Sequence, residues 1–77
     1  MESEEEQMHS FQFCEEIAGI EHAYRITEKS NHIFGVEKDG AVIAEVTNDC
    51  EWKQLTGVPL TKTMLQKIGD RIEDHYA

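Results

Sequence analysis

Hydrophobic positions recur along this chain at two different periods, and each change of period marks the boundary of an element. Near the start, Met8, Phe11, Cys14 or Glu15, and Ile17 with Ala18 recur every three to four residues. Ser3 with Glu6 three residues later forms a capping box, Glu4 to Glu6 complement the positive end of a helix, and Gly19 is placed as a stop. The pattern predicts a helix over about residues 4–18, with a strand over 10–14 as the shorter alternative. From His22 the period falls to two: Tyr24 and Ile26 alternate with Arg25 and Thr27, as on a strand with one buried face. Ser30 and Asn31 supply turn chemistry, and a second apolar run follows over 32–37 with Ile33, Phe34 and Val36. Asp39-Gly40 is the strongest hairpin signal in the chain.

The third strand is expected over 41–47, with Val42, Ala44 and Val46 on one face and Ala41, Ile43 and Glu45 on the other. Asn48, Asp49, Gly57 and Pro59 bracket a segment around Trp52 and Leu55 that reads as a short helical turn or a loop. The last element reads as a helix with Thr61 as N-cap, Leu60 and Leu65 as a hydrophobic staple, and an inner stripe of Leu65, Ile68, Ile72 and Tyr76. The expected architecture is therefore α+β: helix, three-stranded antiparallel meander, helix, with both helices on one face of the sheet. At 77 residues one domain spanning 1–77 is expected, and so short a chain buries only roughly 60% of its unfolded surface. Homodimerisation would relieve that thin core.

Charge changes the picture more than composition does. Sixteen acids face seven Lys and Arg residues, for a net charge of -9. The excess is segregated, since residues 1–24 hold Glu2, Glu4, Glu5, Glu6, Glu15, Glu16 and Glu21 and no Lys or Arg. Such a chain repels nucleic acid and anionic membranes and attracts basic proteins, so direct binding of DNA or RNA is not expected. No apolar stretch reaches a membrane span and the acidic start is unlike a signal peptide, which points to the cytoplasm.

Chemistry finds little support. Cys14 and Cys50 lack C-x-x-C spacing and read as reduced, buried or half-buried small residues, while His9, His22, His32 and His75 stand singly in sequence. The glycines are isolated, and the paired carboxylates Glu15-Glu16 and Asp70 with Glu73 and Asp74 have no metal-site spacing. No catalytic residue, metal or cofactor is assigned. Trp52, the sole tryptophan, reads as a core or half-core aromatic before an exposed anchor.

That leaves the acids. On a helix, carboxylates three and four residues apart lie about 5–6 Å from one another, and a surface so arranged imitates a phosphate backbone. Glu2, Glu5, Glu6, Glu16 and Glu21 would form one stripe, extended by Glu28, Glu37, Asp39 and Glu45. Solubility alone explains some acidity, but seven acids without a base in 24 residues exceed what helix capping requires.

The start MESEEEQMHSFQFCEEIAGIE, the short length and the α+β pattern resemble the small acidic host-takeover proteins of lytic bacteriophages, DNA mimics among them, and in particular the HU-inhibiting proteins of SPO-type Bacillus phages. The resemblance rests on charge, size and overall sequence rather than on a diagnostic motif. It implies a non-enzymatic inhibitor that occupies the DNA-binding groove of HU, a dimeric basic nucleoid protein, in the host cytoplasm. Glu4, Glu5, Glu6, Glu15, Glu16 and Glu21 are then the first partner-binding candidates, with Glu37, Asp39 and Glu45 second. An acidic adaptor or antitoxin-like module, binding another basic protein through an aromatic interface at Trp52, is the rival class. An enzyme using Cys14 or Cys50 is the remaining one.

Overall fold

A computed structural model describes residues 9–30 and 32–77. Five strands run β1 (Ser10–Ile17), β2 (Ile20–Ser30), β3 (Ile33–Lys38), β4 (Ala41–Asp49) and β5 (Glu51–Gly57), followed by one helix, α1 (Lys62–Tyr76). The strands form one antiparallel sheet in the order β1-β2-β3-β4-β5, so each pairs only with its neighbours in sequence. The described residues thus form a five-stranded meander covered by a single helix, and the expected arrangement of helix, three strands and helix is overturned.

The first correction concerns residues 10–17, where a strand replaces the expected helix; residues 4–8 of that helix and its capping box lie outside the described residues. Along β1 burial alternates strictly, with Phe11, Phe13, Glu15 and Ile17 inward and Ser10, Gln12, Cys14 and Glu16 outward. The helical reading overlooked Phe13. In the strand its ring stacks on Tyr24 at 5.4 Å across the β1–β2 pair, and Phe11 sits opposite Ile26. Cross-strand aromatic and β-branched pairs of this kind outweigh a weak helical period. Ala18 and Gly19, both at positive φ, close the hairpin in place of a helix end.

The second correction is β5, which takes the place of the helical turn or loop around Trp52. Trp52 pairs with Asn48 and Gln54 with Val46, so both side chains reach the inner face and stay half-buried. Gly57 permits the close of this strand. At φ +103° it presses on β4, and a Cβ there would stand 2.1 Å from the Ile43 carbonyl oxygen.

Other expectations hold. Asp39 and Gly40 both take positive φ in the β3–β4 turn, as a two-residue hairpin requires. Thr61 caps α1, its hydroxyl accepting from the Met64 amide at 3.0 Å, and Ile68 and Ile72 are buried. The face assignment of β4 holds for Ala44 and Val46 but not for Val42. A register irregularity between Val36 and Glu37 leaves Ile43 as an extra residue and turns Val42 to the outer side, 69% exposed.

The core lies between the helix and the inner sheet face, where Ile26, Val36 and Val46 meet Ile68 with no solvent exposure at all. Full burial of each such side chain contributes on the order of 1.5–3 kcal/mol. Gly69 sets how closely the helix approaches, because a Cβ there would stand 2.4 Å from the Trp52 indole. Gly69→Ala is therefore expected to destabilise the fold by about 1–3 kcal/mol despite its better helix propensity, with Trp52 emission shifted to the red, as read by denaturant titration. Ala18→Asn, which suits the left-handed turn, should instead stabilise by roughly 0.5–1 kcal/mol in the same titration.

Candidate functional site

Strand pairing, rather than a helix, decides where each acidic candidate stands. Successive residues of a strand point to opposite faces, so Glu15 and Glu16 are separated by the full thickness of the sheet. Glu15 turns inward and is consumed there. Its carboxylate accepts from Arg71 Nε at 3.1 Å and lies 3.8 Å from Lys67 Nζ, with its side chain 15% exposed. Arg71 also donates to the Cys14 carbonyl and lies over the Phe13 ring at 5.1 Å, so this cluster ties β1 to α1.

Glu16 faces outward directly opposite Glu21 near the end of the β1–β2 hairpin. Directly opposed residues hold their Cβ atoms about 4.5–5.5 Å apart, and like charges in that position are destabilising. Among the described residues neither has an ion-pair partner. The hairpin projects beyond its neighbour, since β3 pairs with β2 only from Tyr24 onward while β1 continues to Ile20.

Asp39 braces that projection at the β3–β4 turn. Its carboxylate lies 2.7 Å from His22 Nδ1 and accepts from the Ala23 amide at 3.0 Å. These two bonds, the His22 one first, hold its pKa below the ordinary carboxyl value. Glu45 lies on the outer face and accepts from Lys29 Nζ at 2.7 Å, and that hydrogen bond and charge lower its pKa likewise. The Lys29 stem reaches it across Gly35, where no side chain intervenes. Glu37 is outward too, opposite Arg25 on β2.

The acidic stripe expected on one helix is therefore replaced by a sheet face. Glu16, Glu21, Glu37 and Glu45 share the outer side, Asp39 sits in a turn, Glu15 lies beneath the helix, and Glu4, Glu5 and Glu6 fall outside the described residues. Glu15, Asp39 and Glu45 already serve the chain's own donors. Among the described candidates, the uncommitted carboxylates are Glu16 and Glu21, with Glu37 beside Arg25.

Several features had no sequence signal. His9 and His75, 66 residues apart, bring their Nε2 atoms to 2.7 Å, where one ring donates to the other, and His75 stacks on Phe11 at 3.9 Å. No group of three or more His, Cys, Asp or Glu gathers in metal-binding geometry among the described residues. Cys14 and Cys50 are free and exposed, not buried as expected: the one faces outward on β1, the other occupies the tight β4–β5 turn at φ +69°. Trp52 is a structural joint, its ring against Gly69 and Phe34 and its Nε1 donating to Glu73 Oε2 at 2.9 Å. Trp52→Ala would thus disturb the core as well as any interface. Tyr76 donates its hydroxyl to Glu28 at 2.9 Å, and burial, aided by that bond and charge, pushes the phenol up to about 12.

No helix is long and apolar enough to cross a membrane among the described residues. No family model, curated protein or solved structure matches the chain.

The Asp39 brace generates a pH prediction. A carboxyl whose pKa is lower in the folded state stabilises the fold above its unfolded pKa, about 3.9, and that contribution is lost as pH falls through the folded value. Asp39→Asn keeps the turn and one acceptor but removes the charge. Its melting temperature should fall a few degrees below that of the parent at neutral pH, and the gap should close in acid below the ordinary carboxyl range, as followed by circular dichroism.

Proposed function

We propose that this chain is a non-enzymatic inhibitor that presents its acidic outer sheet face to the DNA-binding surface of a basic protein and excludes DNA from it. The observation that carries this reading is the Glu16–Glu21 pair, two carboxylates held face to face on a projecting hairpin without a cation among the described residues. A sequence under selection for stability alone would place opposite charges there. Local conflicts of this kind are expected where a surface serves a partner.

Physical chemistry supplies the mechanism. A basic protein that holds DNA does so largely through phosphate contacts, and it gains free energy from released counterions. Carboxylates at close spacing take the place of phosphates at the same Lys and Arg side chains. The net charge of -9 speeds encounter with such a partner and opposes encounter with DNA itself. The acid-rich sequence before β1 adds Glu2, Glu4, Glu5 and Glu6 to the chain's negative charge.

The resemblance to phage host-takeover proteins makes an HU-like nucleoid dimer in the bacterial cytoplasm the partner in this reading. A homodimer of the chain would match the two-fold symmetry of such a partner.

The test is a gel shift in which the chain competes with DNA for purified HU at two salt concentrations. Displacement of DNA, with an affinity that drops steeply as salt rises, is the expected result; a chain that leaves HU on DNA at low salt sinks the reading. Glu21→Lys sharpens it. Relieving the like-charge pair should stabilise the fold by about 0.2–1 kcal/mol in denaturant titration while weakening competition several-fold. Weakened competition without lost stability separates partner contact from damage to the fold.

A further inference from the structure

A second acidic feature lies on the other side of the sheet, where β2 to β5, with His32 and Asn48 at the margin, and the end of α1 border an open pocket of about 250 Å³. Its floor is Phe34, 8% exposed, with the buried Ile72 beside it. Its walls are Trp52 and Tyr76, whose ring centroids stand 5.8 and 6.1 Å from that of Phe34 at tilts of 55° and 54°. Both wall rings lean on Phe34 and neither pairs with the other, so the cup is lined by three aromatic rings.

Each wall ring holds a carboxylate at the rim. Trp52 Nε1 donates to Glu73 Oε2, and the Tyr76 hydroxyl donates to Glu28 Oε1. One oxygen of each carboxylate is thereby fixed, and the other remains to accept from a ligand. Neither Glu28 nor Glu73 has an ion-pair partner among the described residues. An aromatic lining, which favours a cation, flanked by two carboxylates set apart by the cup, suits a planar cation with several N–H donors.

We propose that this cup binds one arginine side chain of the basic partner, its guanidinium over the aromatic faces and its N–H groups shared between Glu28 and Glu73. Arginine suits the cup better than lysine because a planar fork stacks on a ring while donating sideways to two acceptors, which a compact ammonium does not. The proposal rests on the reading of the chain as a binder of basic proteins and adds a specific contact to an otherwise diffuse attraction. It also gives the partner a site on the helix-bearing side, apart from Glu16 and Glu21.

Trp52 is the only tryptophan, so its emission and its indole N–H resonance report on the cup directly. The chain would be titrated with N-acetyl-arginine amide, and with the citrulline analogue as an uncharged probe of the same shape. Expected is a saturable change at Trp52 and Tyr76 with the arginine probe, none with citrulline, and affinity reduced roughly three- to tenfold in Glu73→Gln and in Glu28→Gln. Both variants keep an acceptor for the ring donor, and their melting temperatures check the fold. Asp70→Asn removes the same charge from α1 outside the cup and should leave arginine affinity unchanged. Equal binding of citrulline, or resonance shifts spread over exposed acids without saturation at Trp52, would overturn the cup. The two readings then part cleanly: displacement of DNA from HU without arginine at the cup retires the cup alone, and arginine at the cup without displacement of DNA retires the HU reading alone.

Discussion

One helix covers one face of a five-stranded sheet, and the rest of the molecule follows from how that contact is made. Ile68 and Ile72 enter the apolar floor formed by Ile26, Val36 and Val46, and the approach is close because Gly69 offers no side chain to the Trp52 indole. At the opposite side of the helix, Arg71 and Lys67 reach Glu15 on β1. An apolar strip, a ring on a glycine and an ionic clasp thus fix the helix across the sheet. Among the described residues no second layer compensates for a loosened helix.

That single contact also sorts the charges. Acids whose strand position points them inward are neutralised by partners on the chain itself or rest against ring donors, as Glu15 and Glu28 show, and Glu73 on α1 likewise accepts from the Trp52 ring. Acids pointing outward meet solvent, where Lys29 answers Glu45 but nothing described answers Glu16 or Glu21. The surplus of negative charge is therefore displayed, not spread evenly. The like-charge pair Glu16–Glu21 lies where β1 and β2 run past β3.

The sequence revealed what depended on short-range rules. Thr61 and the stripe of Ile68 and Ile72 announced α1, and Asp39-Gly40 announced the β3–β4 hairpin, because caps and primed turns are set by a few adjacent residues. Residues 10–17 were ambiguous for a physical reason: Phe11 and Glu15 satisfy a helical period, while Phe11, Phe13, Glu15 and Ile17 satisfy a strand period equally well. Only the stacking of Phe13 on Tyr24, a tertiary fact, decides between them. That decision carried the candidate surface with it, since neighbouring Glu15 and Glu16 share a region of a helix but lie on opposite sides of a strand. Ala18-Gly19 hid the first hairpin because alanine is an uncommon resident of a left-handed turn. The contacts of His9 with His75 and of Arg71 with Glu15 span 66 and 56 residues and have no local signature.

The meander order has a consequence for how the chain comes into being. Each strand needs only the one before it, so the sheet can assemble hairpin by hairpin as the polypeptide lengthens. The helix that seals its apolar side is made after all five strands. Until α1 is made, Ile26, Val36 and Val46 would have no helix to cover them. In that interval the same negative charge that marks the finished surface would keep neighbouring nascent chains apart.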